Sequence, residues 1–202
     1  MSVTTATPPP GFLSYAAFRR LTIDEYHRMI RAGILLDGEP FELIDGYLVK
    51  KMSRGTPHDS VMDELDALLS RLVPDGWFVR SQRAVTLSES EPEPDYAVVR
   101  APRGRYRTTH PQPADIGLLI EVSDSSLVID RTDKARIYAR AGIPVYWVVN
   151  IPDRRIEVFT DPSGPTEAPA YADRTEYPVG TSVPVVLDGT RVGTVAVAEV
   201  IR

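Results

Sequence analysis

Two acidic residues stand inside apolar segments of the sequence, where a charge is costly. Asp95 opens the segment DYAVVR, and Glu121 interrupts the segment LLIEV. An ionised carboxylate in a buried strand is strongly unfavourable unless a cation or hydrogen bonds compensate it. If the two segments are neighbouring strands, both carboxylates and the Val122 carbonyl can bind one hard cation, with water in the remaining octahedral positions. The pattern favours a Mg²⁺ or Mn²⁺ site.

Each acid also has a structural interpretation, which the sequence leaves open. The proline before Asp95 is typical of a turn that enters a strand, and Glu121 could form a buried pair with an arginine. Lys134 favours the metal site, because at 100° per residue it shares an inward helical face with Ile137 and Tyr138. A lysine on that face should reach toward an acidic group. At the edge of the face it could instead extend its amine into solvent.

His58 is a third candidate. It begins a predicted helix and falls on the same arc as Val61, Leu65 and Leu69. The positive end of the helix favours a neutral imidazole, which can accept a proton or ligate a metal. A histidine that only caps the helix is an equally good interpretation.

The elements that would position these residues follow from periodicity, capping and turn signals. A Thr-x-x-Glu capping box starts a helix at Thr22, and Gly33 ends it. Asp45-Gly46 predicts a hairpin within FELIDGYLVKKM, and Asp188-Gly189 predicts another near the C-terminus. The other predicted elements are a helix over 58–72, strands over 77–80, 84–87, 95–100 and 117–122, a helix over 131–141 capped by Asp130, and strands over 145–150 and 155–160.

The composition excludes several classes of protein. The chain of 202 residues is 43% apolar and 25% charged, as expected of one globular domain. It contains no cysteine, which excludes disulfides, a cysteine-ligated zinc and a thiol nucleophile. Because it has three histidines, a metal would be held mainly by oxygen ligands, which points to Mg²⁺, Mn²⁺ or Ca²⁺.

No apolar run reaches the roughly 18–20 residues of a membrane span, and the N-terminus lacks the features of a signal peptide. We therefore expect a cytoplasmic protein without a membrane partner. We divide it into a flexible lead, residues 1–11, and a single domain, residues 12–202. The core of this domain would lie at about 22–160, with a short β-rich extension at 161–202.

The joint pattern resembles a known family. Asp95 in EPEPDYAVV, Glu121 in LLIEVSDSS and Lys134 in DRTDKARIYARAGIPVYWVV resemble the PD-(D/E)XK nuclease superfamily. Within it, they are most similar to a family known as putative bacterial restriction endonucleases, formerly catalogued as a domain of unknown function. The FELIDG hairpin and the helix of His58 match as well, so the likeness runs from about Thr22 to Thr160.

The resemblance implies a mixed α/β fold with an α-β-β-β-α-β core, in which helices flank a central mixed sheet. It also implies metal-dependent hydrolysis of phosphodiester bonds in nucleic acid, with DNA as the expected substrate. Asp95 and Glu121 correspond to the acids of the motif. Ser123 stands at the lysine position, and Lys134 corresponds to a substitute lysine from the following helix.

The implied mechanism assigns a role to each candidate. Asp95, Glu121 and the Val122 carbonyl would hold one or two Mg²⁺ (or Mn²⁺) ions, and Lys134 would orient the attacking water or stabilise developing charge. His58 and Glu42 would tune the site or bind a second metal ion.

A net charge of −5 gives no general attraction to nucleic acid, so binding requires a local basic patch. The segment 96–114 has no acid, and it carries four arginines, Arg100, Arg103, Arg105 and Arg107. Because it begins on the strand of Asp95, we expect it to rim the metal site and bind phosphates. A homodimer would suit a duplex substrate, since cutting both strands takes two sites.

Two other functions remain open at this stage. Ser123 at the lysine position favours a non-catalytic nucleic-acid-binding module with a degraded nuclease site. The acidic net charge would also permit a hydrolase that acts on a small phosphate compound. A glycosidase-like carboxylate pair would leave Lys134 without a role.

Overall fold

In the computed structural model, which describes residues 18–36 and 38–202, six strands form a mixed sheet. Their order across the sheet is β3-β4-β5-β6-β7-β8, and β5 and β6 are parallel while the other neighbours are antiparallel. The strands are β3 (Trp77–Ser81), β4 (Tyr96–Arg100), β5 (Ile116–Ser123), β6 (Val145–Asn150), β7 (Arg155–Pro162) and β8 (Tyr171–Pro178). The predicted mixed α/β class is confirmed. The predicted lead, residues 1–11, lies outside the described residues.

The remaining strands pair as hairpins, and helices cover both faces of the sheet. One hairpin consists of β1 (Phe41–Ile44) and β2 (Tyr47–Lys50), and the other of β9 (Ser182–Leu187) and β10 (Thr190–Ala196). The helices are α1 (Ile23–Arg31), α2 (Thr56–Leu72), α3 (Leu127–Ile129), a π-helical turn (Asp130–Lys134), α4 (Ala135–Arg140) and α5 (Val197–Val200).

The parallel pair β5–β6 forms the centre of the sheet. Both strands are buried along their whole length, as their nearly continuous apolar sequences predict. Parallel neighbours need a crossover connection, and α3, the π-helical turn and α4 supply it. This connection holds Lys134 against the same sheet that carries Glu121.

The core lies in two layers, one on each face of the sheet. On one face α2 and the C-terminal hairpin pack against apolar residues of the strands. On the other face α4 and the N-terminal hairpin do so. Arg136 and Arg140 of α4 also bind Asp45 in the β1–β2 turn, the latter at 2.9 Å, which ties hairpin to helix.

Most of the local predictions are confirmed. Thr22 caps α1, with Glu25 completing the capping box. Both Asp-Gly pairs have positive φ and connect their hairpins: Asp45 has φ 48° and Gly46 78°.

Two of the predictions are wrong. Residues 84–87 form no strand. The Val85 N–H donates to the Pro92 carbonyl, and Pro92 has no N–H to return, so no regular ladder forms. Asp130 does not cap the crossover helix, which begins at Leu127; Asp130 lies inside it, with helical φ −66°.

Within the described ranges, no helix combines the length and the apolar character that crossing a membrane requires.

The β1–β2 turn provides a test of how tightly the hairpin is packed. A Cβ at Gly46 would lie 2.8 Å from the Leu21 carbonyl oxygen, whereas a Cβ at Gly189 would meet nothing within 4 Å. Both glycines have left-handed φ, 78° and 72°, so Ala at either position costs about 1–2 kcal/mol of backbone strain. We expect Gly46→Ala to lower the free energy of unfolding by about 1–3 kcal/mol more than Gly189→Ala. Urea denaturation measures both, and equal losses would contradict the packing at Leu21.

Candidate active site

Strands β4 and β5 bring the two predicted acids together. They are antiparallel with Tyr96 opposite Ile120, so Asp95, just before β4, lies beside Glu121. Both side chains are buried: Asp95 is 4% exposed and Glu121 3%. The expectation that the two acids stand on neighbouring strands is therefore met.

Hydrogen bonds compensate the burial of Asp95. The Val122 N–H donates to Asp95 Oδ2 at 2.8 Å, and His58 Nε2 lies 3.3 Å from the same oxygen. Arg54 lies 3.5 Å from Oδ1. Burial alone would raise the pKa of Asp95, but the bonds from His58 and Val122 outweigh it and hold this pKa below its ordinary value. Asp95 is therefore an anion at neutral pH.

Glu121 has a different environment. Its Oε1 accepts hydrogen bonds from Lys134 Nζ at 3.0 Å and from the Tyr138 hydroxyl at 2.8 Å. Burial raises the pKa of Glu121 well above its ordinary value, although Lys134 opposes this rise. Repulsion from Asp130 and Asp95 adds to it. The site therefore holds two adjacent carboxylates that differ in their readiness to be charged.

Lys134 is the cation at the centre of the site. Its Nζ lies 3.0 Å from Glu121, 3.6 Å from Glu42 and 3.8 Å from Asp130. Burial would lower the pKa of Lys134, but the attraction of these three carboxylates outweighs it and raises that pKa. The amine is therefore an ammonium ion, and the predicted inward face of the helix is confirmed: Lys134 is 8% exposed.

Asp130 is a site residue that the sequence reasoning placed elsewhere. Its Oδ2 accepts hydrogen bonds from Ser123 at 2.7 Å and Ser126 at 2.6 Å, and it is 2% exposed. The i, i+4 spacing to Lys134 is the signal that could have found it. The i, i+4 spacing predicts a contact only if both residues lie inside the helix, and as the predicted cap Asp130 would lie outside it.

The remaining two candidates flank this centre. Glu42 on β1 accepts the Glu93 N–H at 3.1 Å, which leaves its other oxygen toward Lys134. His58 on α2 presents Nε2 to Asp95. Its buried Nδ1 has no hydrogen-bond partner among the described residues, since Asp59 at 3.6 Å is too distant.

The four acids Glu42, Asp95, Glu121 and Asp130 line one cleft together with His58 and Lys134. Among the described residues, six acidic and four basic side chains border it, which together have a formal charge of −2 with His58 counted as neutral. The acids are Glu42, Glu93, Asp95, Glu121, Asp124 and Asp130, and the bases are Lys50, Lys51, Arg54 and Lys134. A phosphodiester, itself an anion, would be repelled from such a cleft without an added cation.

The donor set fits a hard divalent cation. Among residues 18–36 and 38–202, no group of three or more His, Asp or Glu side chains is placed to hold a metal ion. An ion at Asp95 and Glu121 would therefore have two carboxylates as its side-chain ligands, with the Val122 carbonyl and water as the others. Mg²⁺ commonly keeps several waters, and a cation would relieve the repulsion that raises the pKa of Glu121.

The four predicted phosphate-binding arginines lie elsewhere. Asp95 precedes β4 and Arg100 ends it, so five residue steps of about 3.3 Å each separate the two. Arg103 and Arg105 follow in a 3₁₀ turn, and Arg107 comes directly after it. The expectation that this segment rims the site is wrong, because β4 carries it to the far end. Its role in binding nucleic acid stays a prediction.

A mixed sheet flanked by helices, with two acids on adjacent strands and a lysine from the crossover helix, defines a restriction-endonuclease-like nuclease fold. The fold is similar to a crystal structure described as a "putative nuclease belonging to DUF820" from Anabaena variabilis, with a TM-score of 0.63 and 15% sequence identity. This match covers 89% of the present chain and 97% of the other. The chain belongs to the family Uma2, "Putative restriction endonuclease", whose model matches residues 23–189. The comparison with curated proteins found no match.

The central position of Lys134 leads to a stability prediction. Lys134→Met would leave three carboxylates without their shared cation, which costs about 3–5 kcal/mol when a buried pair is broken. The exposed Lys50 at the cleft mouth is the matched control, and Lys50→Met should change stability by less than about 0.5 kcal/mol. Urea denaturation in EDTA measures both variants.

Adding Mn²⁺ should then stabilise Lys134→Met more than the unsubstituted protein, because the ion replaces the lost positive charge. Equal losses for the two methionine variants in EDTA would show that Lys134 is not the compensating charge.

Proposed function

We propose that this protein is a Mg²⁺-dependent endonuclease that hydrolyses phosphodiester bonds in DNA. The observation that carries the proposal is the convergence of Asp95, Glu121 and the Lys134 ammonium group in one cleft. The family description, with its restriction-endonuclease type, supports DNA as the substrate.

Asp95, Glu121 and the Val122 carbonyl would hold the ion. A bound Mg²⁺ ion lowers the pKa of a water ligand and neutralises charge on the phosphoryl oxygens. Asp95 is suited to this role because its pKa is held low, so it offers a permanent anion. His58 fixes the orientation of that carboxylate through Asp95 Oδ2, so we assign it a positioning role.

Lys134 would stabilise the charge that develops on the phosphate. Its ammonium group is already desolvated and held by three carboxylates, so it needs no reorganisation when the negative charge grows. With its raised pKa, it cannot act as a general base at neutral pH. We therefore assign it electrostatic stabilisation and the orientation of the attacking water.

Ser123 is compatible with this assignment. Side chains alternate along a strand, so Ser123 and Glu121 project from the same face of β5. Ser123 donates to Asp130 at 2.7 Å, and Lys134 lies 3.8 Å from the same carboxylate. The lysine of the crossover helix thus reaches the group that a lysine at position 123 would also reach.

The two acids can be tested by isosteric substitution. Asp95→Asn and Glu121→Gln should each lower Mg²⁺-dependent plasmid cleavage by about a thousandfold or more, because the ion loses a charged ligand. Both variants should unfold cooperatively in urea. Asp63→Asn, an exposed acid on α2, is the control and should cleave normally. Cleavage that persists in both variants, or in EDTA, would refute the proposed metal site.

The role of Lys134 can be tested by placing a lysine at position 123 instead. Lys134→Met should cleave slowly while still binding Mn²⁺ in calorimetric titration, since lysine is not a ligand of the ion. Adding Ser123→Lys to Lys134→Met should recover part of the rate, because both positions contact Asp130. Ser123→Ala with Lys134→Met is the control and should recover nothing. If Lys134→Met cleaves at the original rate, Lys134 has no part in the reaction.

A further inference from the structure

A second groove runs along the free edge of the sheet. Strand β3 pairs with β4 on one side and forms the floor of the groove with its other edge. Asp66 and Ser70 of α2 form one wall, and Arg103 and Tyr106 form the other. The groove has a volume of about 1540 Å³, including the part open to solvent.

The groove is basic although the protein is acidic. Arg80, Arg83 and Arg103 line it, against the single acid Asp66 within the described lining. None of these three arginines has a carboxylate within ion-pair distance among residues 18–36 and 38–202. Arg100 and Arg105, from the same segment as Arg103, are instead paired with Asp188 at 2.8 Å and Asp115 at 2.7 Å.

Among these three arginines, Arg80 is the one with a buried donor that the described residues leave unpaired. Its Nε is buried and has no hydrogen-bond partner within the part of the chain that the structure describes. Burial and the neighbouring Arg83 both lower the pKa of the Arg80 guanidinium group. A guanidinium group nevertheless stays protonated in proteins. The free-energy cost of its partial burial can therefore be offset by a bound anion but not by the loss of a proton.

Aromatic rings hold two of the arginines in place. The guanidinium carbon of Arg80 lies 5.5 Å from the centre of the Tyr106 ring, and that of Arg103 lies 5.2 Å from the centre of the Phe78 ring. The Tyr106 hydroxyl donates to the Arg100 carbonyl at 2.9 Å, which fixes its ring. These contacts restrain the two guanidinium groups, and a planar guanidinium group can bind phosphate oxygens through its in-plane N–H donors.

The groove is connected to the candidate active site through the backbone. Ser81 at the end of β3 lies opposite Tyr96, and the Gln82 N–H donates to the Asp95 carbonyl at 3.0 Å. Arg80 and Arg83 therefore flank the end of β3 that adjoins Asp95, and Arg103 lies beyond its other end. The side chains of Arg80 and Arg103 meet at the paired rings of Phe78 and Tyr106, whose centres are 5.8 Å apart, while Arg83 follows the end of β3 beside Asp95.

We propose that this groove binds the phosphodiester backbone of the nucleic-acid substrate through Arg80, Arg83 and Arg103, next to the site of cleavage. The identity of the bound chain rests on the proposed function, whereas the anion site follows from the arginines themselves. Arg103 is the member of the predicted arginine segment that lines the groove; Arg100 and Arg105 are held in ion pairs.

The test measures binding and cleavage separately. Fluorescence anisotropy with labelled single-stranded and duplex DNA in EDTA, at several salt concentrations, gives the slope of log K against log salt. Each phosphate contact contributes about −0.9 to this slope on duplex and about −0.7 on single strands. The variant Arg80→Gln/Arg83→Gln/Arg103→Gln should flatten the slope by roughly two units or more and weaken binding at all sequences alike.

Arg191→Gln is the control for the loss of one positive charge outside the groove, since Arg191 is exposed on the C-terminal hairpin. It should leave the slope unchanged. Arg80→Lys alone keeps the charge but loses the planar fork, so it should weaken binding without flattening the slope by a full contact. Urea denaturation confirms that each variant is folded.

Hydrolysis of a small diester, bis(4-nitrophenyl) phosphate, separates this proposal from the proposed function. The triple variant should hydrolyse it as the unsubstituted protein does while cleaving plasmid DNA more slowly. An unchanged salt slope with normal plasmid cleavage would overturn the groove and leave the nuclease intact. If the triple substitution flattens the salt slope but the unsubstituted protein hydrolyses neither plasmid DNA nor the small diester, the result would support the groove and overturn the nuclease. A concentration-dependent dimer that the triple substitution disrupts, with DNA binding unaltered, would show that the free edge pairs with a second copy and would overturn the groove as a DNA site.

Discussion

The Lys134 ammonium group shares a small buried volume with the carboxylates of Glu121, Glu42 and Asp130. These acids come from β5, from the N-terminal hairpin and from the crossover helix, and they meet at this point. Buried charges are tolerated when they are paired and hydrogen-bonded. Since each acid depends on the same cation, the position of the crossover helix on the sheet and that of the hairpin beside it are coupled through one side chain.

The same arrangement leaves the site short of positive charge. One ammonium group faces three acids, Asp95 stands next to them, and the described charged residues that line the cleft have a formal charge of −2. This negative charge would attract a divalent cation, and without such an ion it would repel the phosphates of a nucleic acid. Arg80, Arg83 and Arg103, which have no carboxylate partner among the described residues, supply positive charge in the groove along β3, the strand that pairs with β4. A polyanion would thus be attracted beside the site and reach the cleft as the cation neutralises it.

Strand direction determines where each of these charges lies. Because β4 runs from Asp95 toward Arg100, it separates the acid from the arginine segment that follows in the chain. Because β3 is antiparallel to β4, its last residues return Arg80 to the neighbourhood of Asp95. Asp95 and Arg100, which are near in sequence, are therefore at opposite ends of β4, whereas Arg80 from a separate strand lies close to Asp95.

The sequence by itself determined the features that depend on near neighbours in the chain. The capping box of Thr22, the Asp45-Gly46 turn and the inward face that holds Lys134 follow from spacings of a few residues, and the structure contains all three. The two acids were recognisable because a charge in an apolar strand needs a partner. These local signals also carried the family resemblance, which the family model confirms.

The tertiary structure alone decided which partner each group has. Asp130 looked like a helix cap, because its contacts with Ser123 and Lys134 depend on how the crossover helix packs on β5. Arg80 gave no signal in sequence, since the lack of a hydrogen-bond partner for its Nε within the described part of the chain depends on the strand and loop beside it. Both cases have one physical reason. The energy of a charge depends on the groups within a few ångströms, and for a side chain on a sheet most of those groups arrive from other strands, whose order and direction no short segment encodes.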